Sequence, residues 1–352
     1  MRGLFRMPAT RRHLLRTARF VILWCMRRAA PALLFLLAAA PVAADPPAGT
    51  VVARSAQPTS LLAADGIYWL GDCRLNHRTP DGQLSSTKSP PCGKSADAVA
   101  FGLTADASYI YWTQSTCFWR VRRPMGPRER MFCLKNDHEE LEKGLAPAGA
   151  QRFYIHDDYS SGHDVYQLVR MQNGRTETLV RGRPTPFLSL TTHAGIAYYL
   201  DPDGDDLVVA LPLAGGRPKV LLRDQCGTPG GLAVDDSGIY FACAALVSVT
   251  PAGKPFRNVI VRMPLAGGRP TVLADLEGYA APLVVDAQHV WWRTWNGLLA
   301  RVPKSGGKTE VVARATGQAI WNDLVVLDDA AYWLEHEASE IRMAKPPAAP
   351  LP

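Results

Sequence analysis

One short aromatic phrase recurs along the chain at almost constant intervals. It reads GIYWL at 66–70, YIYWT at 109–113, RFYIH at 152–156, IAYYL at 196–200, GIYFA at 238–242, HVWWR at 289–293 and AAYWL at 330–334. The central aromatics are Tyr68, Tyr111, Tyr154, Tyr198, Tyr240, Trp291 and Tyr332, spaced by 43, 43, 44, 42, 51 and 41 residues. A fixed period of this size means a repeat architecture, in which each unit buries its apolar face against the next.

Every unit has the same plan. An apolar run such as Leu232-Ala233-Val234 comes first, then a polar turn such as Asp235-Asp236-Ser237-Gly238, then the aromatic segment. A third run ends near Arg-x-Pro, as in Arg262-Met263-Pro264 and Arg301-Val302-Pro303, and a glycine turn leads to a fourth such as Thr271-Val272-Leu273. The runs are short, rich in β-branched and aromatic residues, and bounded by Gly, Pro and Asp, which is strand chemistry. The aromatic run does not alternate with polar residues, so both its faces are covered. Four strands per period, seven times, predict an all-β chain folded as a seven-bladed β-propeller, with six blades as the alternative count. The phrase PLAGGRP, at 212–218 and again at 264–270, is then the hairpin between the third and fourth strands of two blades.

The seventh unit stops after its third strand, at Ile341-Arg342-Met343. GTVVARS at 49–55 resembles KTEVVARAT at 308–316, the fourth strand of unit six. The N-terminal strand is therefore expected to complete the last blade and close the ring, which removes open sheet edges.

The pattern resembles the YWTD-type propeller repeats, Tyr111-Trp112-Thr113-Gln114 coming nearest to that phrase, and more loosely the lactonase and streptogramin-lyase propellers. The resemblance covers essentially all of 50–345. YWTD propellers have six blades where seven are counted here. It implies a fold and not an activity, because propellers host binding proteins and enzymes alike.

Residues 1–44 hold eight arginines and no acid, followed by the apolar run APALLFLLAAAPVAA and small residues Val42-Ala43-Ala44. They are expected to be a signal peptide cleaved after Ala44, which leaves 45–345 as one propeller domain and 346–352 as a Pro-rich tail. Met26 before Arg27-Arg28 would itself begin a leader of ordinary length. A membrane anchor is the other reading of the apolar run, which is short for a span and broken by Pro31 and Pro41. The formal charge of +7 lies in the leader; 31 basic residues remain against 32 acidic, so nucleic acid is not an expected partner. No transmembrane span is expected in the mature chain, and a periplasmic or extracellular monomer is.

Six cysteines follow the leader: Cys73, Cys92, Cys117, Cys133, Cys226 and Cys243. An even number in an exported chain suggests disulfides. Cys73 and Cys92 flank a turn, Cys117 and Cys133 flank another, and Cys226 and Cys243 bracket a hairpin. Sequential pairing is the simplest of the possible patterns.

In propellers generally, the loops after the second strand and those between blades share the binding face. On that face Trp295, the run Trp321-Asn322-Asp323, and Glu335-His336-Glu337 come together in one sector. Two tryptophans outside the packing repeat, beside acids and an amide, suit a carbohydrate, a cationic group or a peptide; the alternative is that both rings pad a seam between blades. DPDGDDL at 201–207 places Asp201, Asp203 and Asp205 beside a glycine, as hard calcium ligation needs, but it also sits where a turn is needed. HDDYSSGHD at 156–164 offers His156, Asp158 and His163 as metal ligands or as a solvated loop. The insertion ALVSVTPAGKPFRNV, which accounts for the 51-residue spacing, reads as a lid or as a tolerated loop. There is no G-x-S-x-G, P-loop or H-E-x-x-H. The reading is an exported, non-enzymatic binding or scaffold propeller with no resident cofactor. The alternative is a metal-dependent lactonase or lyase, for which Asp97, His156, Asn322 and Asp323 are the available ligands.

Overall fold

The computed structural model describes residues 47–72, 74–88, 100–114, 116–134, 139–148, 151–158, 165–172, 175–183, 189–201, 206–223, 226, 228–244, 258–317 and 323–347. The first strand is β1 (Thr50–Arg54). Blade 1 is β2 (Ser60–Ala63), β3 (Ile67–Gly71), β4 (Arg74–Arg78) and β5 (Leu84–Lys88). Blade 2 is β6 (Ala100–Ala105), β7 (Tyr109–Gln114), β8 (Cys117–Arg122) and β9 (Arg128–Cys133). Blade 3 is β10 (Glu139–Ala148), β11 (Gln151–Asp158), β12 (Val165–Gln172) and β13 (Arg175–Arg183). Blade 4 is β14 (Ser189–His193), β15 (Ile196–Leu200), β16 (Asp206–Pro212) and β17 (Lys219–Arg223). Blade 5 is β18 (Thr228–Asp235), β19 (Gly238–Ala244), β20 (Val259–Met263) and β21 (Thr271–Asp275). Blade 6 is β22 (Ala280–Val285), β23 (His289–Thr294), β24 (Leu298–Pro303) and β25 (Glu310–Arg314). Blade 7 is β26 (Leu324–Leu327), β27 (Ala330–Glu335) and β28 (Glu340–Ala344).

Each blade is a four-stranded antiparallel sheet in chain order, except the last, whose order is β1-β28-β27-β26. The first strands form the inner circle, β2 against β6, β6 against β10, and so on until β26 meets β2. This is a seven-bladed β-propeller, closed as expected by the N-terminal strand: Thr50 lies opposite Met343 and Arg54 opposite Glu340. Arg314 N–H donates to Pro47 O at 3.0 Å and Arg342 to Ala48 O at 2.9 Å, which extends the clasp ahead of β1.

The core is seven seams. The second strand of each blade is buried on both sides, and its period of two sends alternate residues to opposite neighbours. Tyr68 and Leu70 pack on Trp112 and Val121 of blade 2, while Ile67 and Trp69 pack on Leu334 and Ile341 of blade 7. Likewise Tyr240 meets Trp292 of blade 6, and Phe241 meets Tyr198 of blade 4. Blade 3 is one residue out of phase. There Tyr154 faces Tyr111 of blade 2, and Phe153 and Ile155 face blade 4. Three consecutive large apolar residues bury an aromatic ring in either phase, so the pattern could not fix it.

Glycines serve two distinct needs. In the PLAGGRP hairpin of blade 5, Gly267 and Gly268 take φ of +87° and +125°, conformations open to glycine and costly for other residues. Gly230 and Gly231 of β18 instead permit close approach: a Cβ on Gly230 would stand 2.3 Å from Ala280 O of the next inner strand.

Candidate functional site

Strand direction divides the ring into two faces. The turns between first and second strands, and between third and fourth, emerge on one side, here the turn face. The loops between second and third strands, and those between blades, emerge on the other, the loop face.

On the turn face an aspartate anchors the ring of the aromatic strand. Tyr68 OH donates to Asp65 Oδ1, Tyr111 OH to Asp106 Oδ2 and Trp291 Nε1 to Asp286 Oδ2, all at 2.6 Å. In blade 5 Ser237 Oγ bridges Asp235 and Tyr240 OH. A basic group from an adjacent blade then meets a turn acid. Arg123 pairs with Asp65 at 3.0 Å, Arg152 with Asp106 at 2.7 Å, His193 with Asp236 at 3.0 Å, Lys304 with Asp235 and Arg301 with Asp329. Burial opposes ionisation of Asp65, Asp106 and Asp235, but these hydrogen bonds and cations outweigh it and hold each carboxyl below its ordinary value. Burial together with the Asp106 hydrogen bond pushes the Tyr111 phenol up to about 12. These groups are committed to the structure.

The loop face is built differently. The residues ending or just following the second strands are Gly71, Gln114, Asp157, Asp201, Cys243, Thr294 and Glu335; the polar ones are all buried. Between blades 6 and 7 they organise an ion cluster. Arg293, with 0% of its side chain exposed, donates to Asp323 Oδ2 at 2.7 Å, Leu334 O at 3.0 Å and Gly317 O at 2.7 Å. Glu335 lies 3.9 Å from the same guanidinium. Its carboxylate accepts from Thr316 N at 2.9 Å, Thr316 Oγ1 at 3.0 Å, Gly317 N at 2.8 Å and Trp333 Nε1 at 2.9 Å. Burial raises the Glu335 pKa, and the donors Trp333 Nε1, Thr316 N and Gly317 N with the Arg293 charge pull it below the ordinary value. Asp323 and Glu335 are 1% exposed. Two of the residues expected at the site are thus brought together by an arginine, and both point inward.

The other candidates lie in the loops that leave these strands. Trp295 keeps 37% of its surface in water, one of four exposed large hydrophobics among the described residues. It is steadied by Tyr279, whose carbonyl accepts Trp295 N–H at 3.1 Å and whose ring meets the indole edge-on with centroids 5.9 Å apart. Glu337 is exposed. His336 is half-buried, and burial lowers its pKa despite a hydrogen bond to the Pro58 backbone. Its Nε2 is buried without a hydrogen-bond partner. Trp321 and Asn322 lie outside the described residues, as do Asp97, Asp203, Asp205, His163 and the 245–257 insertion, together with the side chains of His156 and Asp158. Asp201 is buried at the end of blade 4's second strand.

Two other features compete for attention. Asp286, His289 and Asp329 bring one ligand atom each within 4.8 Å of one another on the turn face. Asp286 already accepts from Gln288 N, His289 N and Trp291 Nε1, and Asp329 from Arg301, so little ligating capacity is left. A cleft of about 730 Å³ on the outer part of blade 3 is lined by Arg170, Gln172, Arg175, Thr176 and Glu177, and opens toward the turn face.

Both disulfides in the described residues staple the loop face. Cys117 opens β8 opposite Cys133 at the end of β9, and Cys226 before β18 joins Cys243 in β19. They follow the sequential pairing; Cys73 and Cys92 lie outside the described residues. No helix in the described residues is long and apolar enough to cross a membrane.

No protein-family model matches the chain, and no curated protein does. Solved structures share the fold. A computationally designed protein, Ika8, is 13% identical, with a TM-score of 0.54 over 85% of this chain and 98% of its own. An oligogalacturonate lyase from Vibrio parahaemolyticus is 8% identical, with a TM-score of 0.60 over 84% of this chain and 90% of its own. The extracellular domain of what is described as a one-component system from B. thetaiotaomicron is 11% identical, with a TM-score of 0.59 over 84% of this chain and 39% of that one. At such identities the likeness is one of fold.

Proposed function

We propose that the protein is an exported propeller that binds a carbohydrate or peptide on its loop face, in the sector of blades 6 and 7, and performs no chemistry there. The observation that carries this reading is Trp295. A large ring stands in water on a face stapled by disulfides, propped by Tyr279 and placed two residues beyond the buried Arg293. Arg293, Asp323 and Glu335 act as the rigid footing, while Trp295 and Glu337 make the contacts, with Trp321 and Asn322 as further candidates from the sequence. An aromatic platform on a preorganised support is how a protein holds a sugar ring or a side chain at small entropic cost. Disulfides, the leader pattern and extracellular neighbours of the same fold support an oxidising location outside the cytoplasm.

Glycan and peptide arrays probed with wild-type protein, then with Trp295→Ala, test the reading. The variant is expected to lose at least tenfold in affinity for the ligand found while melting within a few degrees of wild type. Unchanged affinity would remove the site.

The second reading is a lyase, supported by the fold of the Vibrio enzyme and by His336, whose pKa burial lowers. The buried position of its Nε2 weighs against a base that must reach substrate. A stoichiometric divalent ion in the purified protein, with cleavage of an acidic oligosaccharide, would favour the lyase instead.

A further inference from the structure

The β8–β9 hairpin of blade 2 carries five arginines, Arg120, Arg122, Arg123, Arg128 and Arg130, no lysine, and a single acid, Glu129. Two of them have structural duties. Arg123 joins Asp65 across the seam with blade 1, and Arg120 pairs with Glu129 at 2.7 Å beneath the Tyr109 ring. Arg122, Arg128 and Arg130 are exposed, and neither Arg122 nor Arg130 meets a carboxylate among the described residues. Arg128 lies over the Trp119 ring, 5.4 Å from its centroid, and Arg130 is directly across the strand pair from Trp119. The Cys117–Cys133 bond closes the far end of the same hairpin.

Like charges held together on a stiff hairpin repel one another, and an anion bound among them relieves that repulsion. Guanidinium rather than ammonium throughout favours planar, two-pronged recognition of carboxylates. Arg122 lies on the face of the hairpin that carries Tyr109, and Arg128 and Arg130 on the face that carries Trp119, so one small anion could not engage all three, whereas a chain of spaced anions draped over the edge could. Trp119 is a poor platform for a nucleobase, because it is partly buried against the blade 1 seam and Arg128 stands over its ring. We infer that the exposed edge of the β8–β9 hairpin is a docking site for an acidic polysaccharide whose uronate carboxylates pair with Arg122, Arg128 and Arg130. This surface is separate from Trp295 and independent of what binds there.

The test is retention of the full-length mature protein on immobilised alginate at 50 mM salt, with dextran as a neutral control. Wild type should be held by alginate, ignored by dextran, and released as salt rises. Replacing Arg122, Arg128 and Arg130 by Ser should weaken alginate binding at least tenfold. The pair Arg122→Ser and Arg130→Ser, which leaves Arg128 on Trp119, should weaken it several-fold with unchanged melting. Arg217→Ser, on an exposed hairpin of blade 4, should change nothing. No retention by wild type, equal retention of the variants, or tighter binding to single-stranded DNA than to alginate would each overturn the proposal.

Discussion

The turn face repeats one arrangement in several blades with small variations, and the loop face changes its chemistry around the ring. Asp65, Asp106 and Asp286 make the same bond to the same strand position, and arginine, lysine or histidine from a neighbouring blade meets a turn acid at five seams. At the other end of those strands stand a glycine, an amide, two aspartates, a cystine, a threonine and a glutamate. Uniform chemistry at equivalent positions answers a need every blade shares, which is docking onto the next. Chemistry that changes from blade to blade answers a need local to each, and a ligand touches only some of the blades.

The comparison can be pressed by experiment. Deleting Thr50–Arg54 removes the outer strand of blade 7 and harms both faces; a loss above about 4 kcal/mol is expected in chemical denaturation. Deleting Pro346–Pro352 should leave the midpoint in place. Equal tolerance of the two would mean that the ring does not depend on its N-terminal clasp. On the turn face alone, Asp106→Ala strands the buried Arg152 cation and should cost about 2–3 kcal/mol, less than for a fully buried pair because Asp106 keeps 26% of its side chain exposed. Ligand affinity at Trp295 should not move. A change in affinity with that substitution would erase the division between the faces.

Reduction addresses the loop face. Losing the Cys117–Cys133 and Cys226–Cys243 bonds should lower stability by roughly 3 kcal/mol each in the chain-entropy estimate, and peptide mapping without reduction should recover both pairs and Cys73 with Cys92. A Cys92–Cys117 peptide would contradict the pairing. The smallest effect is that of mild acid. His77, stacked on Tyr68 with centroids 4.1 Å apart, and His336 both have pKa values lowered by burial, so the unfolded chain takes up protons first. Stability should be full above pH 6.5 and decline as pH falls through that value. The contribution of the depressed turn-face aspartates is present above 3.8 and is lost only as pH drops further, through their folded values. A flat profile between pH 7 and 5 would show that neither histidine is held neutral.

Blade number, hairpin identity and ring closure were legible because each rests on local chemistry repeated at a fixed interval: an aromatic strand, a Gly-Gly turn, a spare VVAR strand. The phase of blade 3 was not, since Phe153, Tyr154 and Ile155 bury equally well in either register. Nor was the role of Arg293. Leu334 stands one repeat of 41 residues on, at the equivalent position of the next blade, but Asp323 lies 30 residues away in the loop between blades, and the repeat does not reveal a guanidinium turned inward to join them. Glu335 and Asp323 were picked out as polar residues of the right loops, but that choice could not separate a carboxylate facing solvent from one folded inward onto a guanidinium.

The clasp between β1 and β28 also has a consequence in time. Arg54 and Glu340 are separated by 286 residues, and Arg342 reaches Ala48 across 294. A strand made early must therefore wait, unpaired, for almost the whole chain to arrive. Contacts of such sequence separation are the slowest to form, and an unsatisfied strand edge is open to foreign chains meanwhile. A circular permutant beginning at Ser60, with the β1 segment attached after β28, would make blade 7 continuous. It should refold faster than the parent, while the finished ring would be the same.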